Sequence, residues 1–468
     1  MEMEKELFLF SDEMTEERAG FLATLLEEKR FAEARRALEP LLPADIGILW
    51  GELEEKHSLL LFRILPKEKA AEVFVEMDTD TQERLIASFS DRELKEILEE
   101  LYLDDTVDII EEMPASVVNR ILRNASAETR TQINMLLRYP KESAGSLMTT
   151  ELVRLDKRMT VAEAFETIRR DAIDKETVYN CYVTSEKRML EGIVSVKTLL
   201  ISPMDAIIGD VMEENVIYAE TLTDKSEVVR MFDHYDFLAL PVVDKEKRLV
   251  GIITVDDAID VMQEEAEEDF TKMAAITPSE TPYLRTSPFA VFKTRFPWLL
   301  LLMLSATFTG LIISGFETAL SSCVVLTAFI PMLMGTGGNS GSQSSVTVIR
   351  GLSLGEISFR DTWRVLIKEL CVSVLCAVAL GIVAFGKILL VDRLMLGNPA
   401  VTAEVALTVS LTLAATVICA KLIGAALPIL AKRIRLDPAV MASPFITTIV
   451  DALSLLVYFA VASSLLGL

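Results

Sequence analysis

The stretch 297–315, PWLLLLMLSATFTGLIISG, is apolar over nearly its whole length and carries no charge. As a helix rising 1.5 Å per residue it would extend about 28 Å, roughly one bilayer core. Further apolar segments follow at 319–334, 370–391, 401–431 and 445–467, so the pattern predicts five spans. The charge follows the same division. Residues 1–290 carry 34 Lys and Arg against 62 Asp and Glu, a net of −28, whereas residues 291–468 carry 12 against 8, a net of +4. The chain therefore reads as an acidic soluble part joined to a membrane part. Its 468 residues, 51% hydrophobic with a mean hydropathy of +0.36, exclude a disordered chain and suggest about three domains. A surface of −28 is a poor partner for nucleic acid and a good one for small cations.

Basic residues give the expected orientation. Lys293 and Arg295 precede the first span. Arg350, Arg360, Arg364 and Lys368 lie between the second and third, and Lys432, Arg433 and Arg435 between the fourth and fifth. The opposite loops offer only Lys387 and Arg393. The positive-inside rule then places the N-terminal domains in the cytoplasm and the C-terminus outside. The opening MEMEKELF has no basic n-region and does not read as a signal peptide, in agreement. Five cysteines without a CxxC pair argue against a disulfide framework or thiolate metal site. Two histidines, His57 and His234, leave little from which to build an imidazole site or a nucleophile–base pair, so an enzyme is not expected.

Residues 12–140 read as short helices in series, at 16–38, 67–77, 80–88, 91–101, 104–112 and 114–123. Ser90–Asp91 and Asp78–Asp80 read as N-caps, and Pro40, Pro43, Pro66 and Pro114 punctuate the series. Stacked helical pairs in a small superhelical domain are expected.

Residues 145–262 contain an internal repeat. LEGIVSVKTLL (190–200) matches LVGIITVDDAI (249–259) at an offset of 59, while Met148 and Val153 match Met212 and Ile217 at an offset of 64. Each copy reads as Met, strand, helix, strand, turn, strand, helix. The pattern resembles paired cystathionine-β-synthase (CBS) domains. That resemblance implies an adenosine site built on Ser195 in the first copy and on Thr254 and Asp257 in the second. Thr198 stands where the first copy's Asp belongs. The run DVMQEEAEEDF (260–270) follows, dense in carboxylates, and Pro278, Pro282 and Pro288 break the chain before the membrane. Like charges so close together invite a counter-cation.

Two features interrupt the apolar half. PMLMGTGGNSGSQSS (331–345) holds Pro331 and four glycines, which make a poor continuous helix. Irregular backbone is expected there, lining water or buried in protein, with helix–helix packing of small residues as the other reading. Asp451 lies about one and a half turns into the last span. An unpaired carboxylate at that depth costs about 2.5–3.5 kcal/mol on insertion scales, so it is a functional candidate. Lys421 is either its partner or a side chain reaching for the inner surface. Sparse carboxylate with backbone and amide oxygens suits Mg²⁺, which keeps much of its water.

Together these pieces resemble the MgtE family of magnesium channels. The motifs are LP…AAEV (65–73), LDD (103–105), YDF (235–237), PMLMGTGGNSGSQS (331–344) and DPAV…SPFITTIVD (437–451). The resemblance implies an acidic helical N-terminal domain (1–143), CBS domains at 144–206 and 207–262, an acidic linker or plug helix (263–290) and a five-helix pore domain (291–468). It implies a homodimer in the cell membrane with the pore between protomers. Asp451 then matches the pore aspartate, Gly335 and Thr447 offer backbone oxygens, and Asn339 and Ser342 line the mouth. Regulatory Mg²⁺ would be held by Glu72, Asp104, Asp108, Asp224, Asp236, Asp257, Asp260, Glu265, Glu268 and Asp269. ATP is a further expected ligand of the CBS pair. The expected function is Mg²⁺ import down its electrochemical gradient, closed by Mg²⁺ on the acidic domains, since no GxxxxGK[ST] motif is present. Two alternatives stand beside it. One is a membrane-anchored, nucleotide-sensing CBS protein, and the other is an alternating-access divalent-cation carrier whose helices break at Pro331 and Pro428.

Overall fold

The structure is a computed structural model that describes residues 12–172, 175–278, 283, 286–441 and 443–467. The opening MEMEKELF and Pro282 lie outside the described residues. The chain divides into two compact units, meeting at Met262 and Gln263.

The first unit opens with ten helices: α1 (Asp12–Glu27), α2 (Phe31–Leu38), α3 (Pro43–Gly51), α4 (Glu55–Ile64), α5 (Lys67–Val75), α6 (Thr79–Ser88), α7 (Asp91–Leu98), α8 (Leu103–Glu112), α9 (Ala115–Asn124) and α10 (Ala127–Leu136). Their boundaries follow from local chemistry. Asp78 caps α6 by accepting from the Thr81 amide, and Ser90 and Glu93 form a reciprocal capping box on α7. Pro43 stands in the first turn of α3, where its missing N–H costs nothing. A column of Trp50, Phe62, Phe74 and Phe89, with ring centroids 5.1–6.3 Å apart, ties α3 to α6.

After α11 (Ala144–Leu147) come two three-stranded sheets of identical design. The first holds β1 (Arg154–Leu155), β2 (Asn180–Thr184) and β3 (Leu190–Ser195), with α12 (Val161–Asp171) and α13 (Val196–Ile201) beside it. After α14 (Ile208–Val211), the second holds β4 (Ala219–Glu220), β5 (Ala239–Val243) and β6 (Leu249–Thr254), with α15 (Lys225–Tyr235) and α16 (Val255–Met273). In each sheet the first pairing is parallel and the second antiparallel. The repeat is thus a repeat of topology. Its offset methionines and glycines have one reason. A β-carbon on Gly251 would fall 2.9 Å from Met148 Sδ, and one on Gly192 would fall 2.6 Å from Met212 Sδ. Each copy's methionine fills the notch left by the other copy's glycine.

The second unit contains α17 (Pro288–Gly315), α18 (Glu317–Ser322), α19 (Ile330–Ser353), α20 (Thr362–Lys387), α21 (Ala403–Arg433) and α22 (Ser443–Leu466). Among the described residues four helical stretches are long and apolar enough to cross a membrane: Pro288–Gly315, Phe359–Met395, Ala403–Arg433 and Pro444–Leu466. The segment 319–334, expected as a fifth uninterrupted span, is divided between α18, a 3₁₀ turn at Val324–Phe329 and the start of α19. None of the residues in the apolar window of α17 is buried within the chain.

The expectation of irregular backbone at 331–345 is overturned. α19 runs as one helix of 24 residues through Pro331 and all four glycines. Pro331 sits in its first turn, where the ring is tolerated. Gly337, Gly338 and Gly341 serve packing instead, while Gly335 faces open space. A β-carbon on Gly337 would lie 2.7 Å from Thr416 Cγ2 and 2.8 Å from Ser454 Oγ, and one on Gly424 would lie 2.2 Å from the Gly341 carbonyl oxygen. Small residues let α19 and α21 approach backbone to backbone and let side chains of α22 seat against α19, which is how helices associate where no hydrophobic effect separates them from lipid. α21 likewise continues through Pro428, so neither proline breaks a helix as the carrier alternative required.

At the Gly341–Gly424 contact the neighbour is backbone and cannot rotate away. Gly424→Ala is expected to destabilise the chain by about 1–3 kcal/mol or more, read as a lower melting temperature of the detergent-purified protein. A parent-like melt would mean the contact is looser than described.

Candidate functional site

α19 and α22 bring the membrane candidates together. Gly335, Asn339 and Ser342 are spaced i, i+4 and i+7, so they form one stripe along α19. Gly335 and Asn339 are exposed and Ser342 is half-buried. A β-carbon on Gly338, beside this stripe, would stand 3.1 Å from Thr447 Cγ2 and 3.7 Å from Asp451 Oδ1. Thr447 and Asp451 lie four residues apart on α22, both half-buried, and the Thr447 hydroxyl donates to the Pro444 carbonyl at 2.9 Å. Asp451 makes no hydrogen bond or ion pair with the described residues. Lys421 is not its partner. The lysine is 6% exposed inside the unit, so it does not reach for a surface either, and its Nζ donates to Ser344 Oγ at 3.4 Å.

In the first unit, carboxylates from separate elements gather around α8 and the start of α16. Asp104 is 8% exposed, and Asp257 is half-buried where it accepts from Thr254 Oγ1 at 2.7 Å. Burial, with the neighbouring Asp105 charge, pushes Asp104 up to about 7. Burial, with Asp257 and Asp256, pushes Asp105 up to about 7. Asp257 rises to about 7, from burial first and the Asp104 charge next. Asp108, whose side chain stays open to solvent, is pushed the same way. Glu176 joins them: burial and the charges of Asp104 and Asp105 raise it to about 8, and its Oε2 is buried without a hydrogen-bond partner. Among the described residues no three His, Cys, Asp or Glu side chains converge into a cage for a bare metal ion.

The other expected regulatory residues scatter. Glu72 is exposed on α5. Asp224 caps α15 through the Ser226 amide, and exposed Asp236 ends that helix in the left-handed region at φ 53°. Asp260 is exposed on α16, its carboxyl raised by burial and the Asp256 charge. The end of α16 is held within the second unit. Lys272 Nζ lies 2.7 Å from both Asp437 Oδ2 and Glu268 Oε1, and Ser353 Oγ at the end of α19 donates to Asp269 Oδ2 at 3.0 Å. Glu265 lies half-buried one turn before Asp269. Of the adenosine candidates, Ser195 is engaged as the cap of α13, its hydroxyl 2.9 Å from Thr198 Oγ1, whereas Thr254 and Asp257 already pair.

Sequence reasoning missed Asp105, Glu151, Glu176 and Asp256 around α8. Glu151 and Glu176 sit in loops joined by one backbone hydrogen bond of 3.1 Å, and nothing local marks them. It also missed Glu369 on α20, which accepts from Ser344 at 2.6 Å; an acid within an apolar helix was the available signal.

Comparison with known proteins agrees along the chain. A family model described as the MgtE divalent cation transporter matches residues 330–461. The MgtE intracellular N domain matches 41–142, and the CBS domain matches 144–204 and 208–264. The magnesium transporter MgtE of Thermus thermophilus is 37% identical over 97% of this chain and 99% of its own. That of Bacillus subtilis is 32% identical over 94% and 95%. A crystal structure of the cytosolic domain of the Mg²⁺ channel MgtE in complex with ATP covers 52% of this chain and 99% of its own, with 39% identity and a TM-score of 0.50. A structure of the soluble part of a magnesium transporter covers 54% and 99%, with 31% identity and a TM-score of 0.51. With such identity running from the acidic helices through the repeat to the last membrane helix, the chain belongs to the MgtE family.

Proposed function

We propose that this chain carries Mg²⁺ across the cell membrane along the α19–α22 face, and that Mg²⁺ on its acidic domains closes the path. Mg²⁺ transport is the activity its relatives are named for. The observation that carries the reading is Asp451, an acid in an apolar helix with no partner among the described residues, set beside the Gly335–Asn339–Ser342 stripe. Oxygen donors of this kind, few and spaced by helices, suit an ion that keeps its hydration shell. The backbone oxygens of Gly335 and Thr447 and the side chains of Asn339 and Ser342 would contact that shell. One face cannot enclose an ion, so a second copy completing the path makes the working unit a homodimer. The membrane potential supplies the work, about 4.6 kcal/mol for a divalent ion per 100 mV.

Closure follows from the strained carboxylates. Burial first, and the charges of neighbouring carboxylates next, raise the carboxyls of Asp104, Asp105, Asp257 and Glu176, so their ionised forms call for a balancing cation. A hydrated Mg²⁺ among them supplies that balance, draws off their protons and stabilises the packed form. Asp108, Glu72, Asp224, Asp236 and Asp260 offer further weak sites. Moving a gate from 1:99 to 99:1 takes about 5.5 kcal/mol, so many weak sites acting together fit better than one tight one. Glu265, Glu268 and Asp269 belong to the helix that continues into the second unit and form the link to the path. ATP at the CBS pair would use Thr254 and Asp257, so it and Mg²⁺ meet at one carboxylate. We also place the C-terminus outside the cell and the domain borders as the sequence suggests.

Asp451→Ala should fail to support a magnesium-auxotrophic host at low external Mg²⁺; unchanged uptake would remove Asp451 from the path. Neutralising Glu265, Glu268 and Asp269 together should leave the channel conducting at high internal Mg²⁺, whereas normal closure in patch recordings would contradict the gate. The acids also set a pH dependence. Their folded values lie above the unfolded ones, so the packing they support is full at acid pH and lost as pH rises through about 7–8. Without divalent ions, limited proteolysis of the chain should therefore speed up between about pH 6 and about pH 8, and Mg²⁺ should abolish that rise. A flat profile would argue that these carboxylates are solvated in the working protein.

A further inference from the structure

Lys421 lies inside α21 with almost no contact with the exterior, and the ion path does not use it. A buried ammonium is retained only where other groups satisfy it. Here that group is a hydroxyl that is itself committed. Ser344, 2% exposed on α19, accepts from Lys421 Nζ at 3.4 Å and donates to Glu369 Oε2 on α20 at 2.6 Å. One chain of ammonium, hydroxyl and carboxylate therefore ties three helices together, and its charges balance.

Its place along α19 gives it meaning. Gly338 faces Thr447 and Asp451, Gly341 meets the backbone at Gly424, and Ser344 meets Lys421. These are successive turns of one helix, three residues apart, so Ser344 is about 9 Å along the axis from Gly338. Between α19 and α21, Val348 and Leu352 pack with Ala425 and Ile429, and such apolar packing is non-directional. The hydrogen-bonded chain adds a directional polar link to that packing.

We propose that Glu369, Ser344 and Lys421 form a charge-balanced clamp that fixes the register of α19 against α20 and α21, and so sets how the Gly335–Asn339–Ser342 stripe stands beside Asp451. All three are positioning residues: they act through α19 and do not touch the ion. The clamp also engages the buried ammonium, so it does not neutralise Asp451. The proposal rests on the α19–α22 face being the path.

Lys421→Met strands the Glu369 charge, and Mg²⁺ uptake should fall by roughly tenfold at equal amounts of protein in the membrane. Lys421→Met with Glu369→Gln removes both charges and should restore uptake to within about threefold of the parent. Packing alone gives no reason for the second neutral substitution to rescue the first. Parent-like uptake by Lys421→Met overturns the clamp, and so does an equal loss in the single and double variants. Should Lys421→Met fail to reach the membrane, Ser344→Ala keeps both charges and removes only the bridge; reduced uptake then supports the clamp and unchanged uptake overturns it. Asp451→Ala measured in parallel separates the two claims. If it transports normally the path itself is misplaced, whereas its loss beside unaffected clamp variants overturns the clamp alone.

Discussion

The constraint on which the membrane unit depends is that backbone groups in hydrocarbon must bond within their own segment. A glycine-rich stretch that unwound there would leave several donors and acceptors unpaid by water. The chain keeps α19 helical and uses Gly337, Gly338 and Gly341 as contact surface, which brings the backbone of α21 and the side chains of α22 close. That closeness sets Asp451 and Thr447 against Gly338. An acid in an apolar helix is thus a product of packing as much as of sequence.

The first unit works under the opposite pressure. Its helices and sheets bury apolar faces well, from the aromatic column of α3–α6 to the paired CBS cores. The same packing drives carboxylates of α8, α16 and two loops into one region. Their mutual repulsion opposes the hydrophobic contacts that hold them there, and the balance is a small difference between large terms. A cation among them would screen that repulsion. At the acidic end of α16, Lys272, Asp437, Asp269 and Ser353 join that helix to the membrane helices within one compact unit.

Much of this was legible in the residues. Apolar runs located four long membrane helices, Ser90 and Asp78 declared their caps, and the offset repeat announced two equivalent sheets. Asp451 stood out because no other residue of α22 carries a charge. The continuity of α19 was not legible, because glycine and proline report only local propensity. Whether a weak helix former stays helical is decided by α21 and α22, nearly a hundred residues away. Glu151 and Glu176 escaped for a related reason: acids in loops are ordinary, and only the fold brings them beside Asp104. Lys421 was read against Asp451, since both are charges within spans, but its partner chain runs through a serine that sequence alone does not distinguish from its neighbours.

The exchange of methionines between the CBS copies has a consequence for how the pair can change. Met148 seats in the hollow at Gly251, and Met212 in that at Gly192. One copy by itself bears a knob and a hollow of matching shape, so two identical copies would close face to face. Within the fused repeat, a larger residue at either glycine would need a matching change at the other copy's methionine.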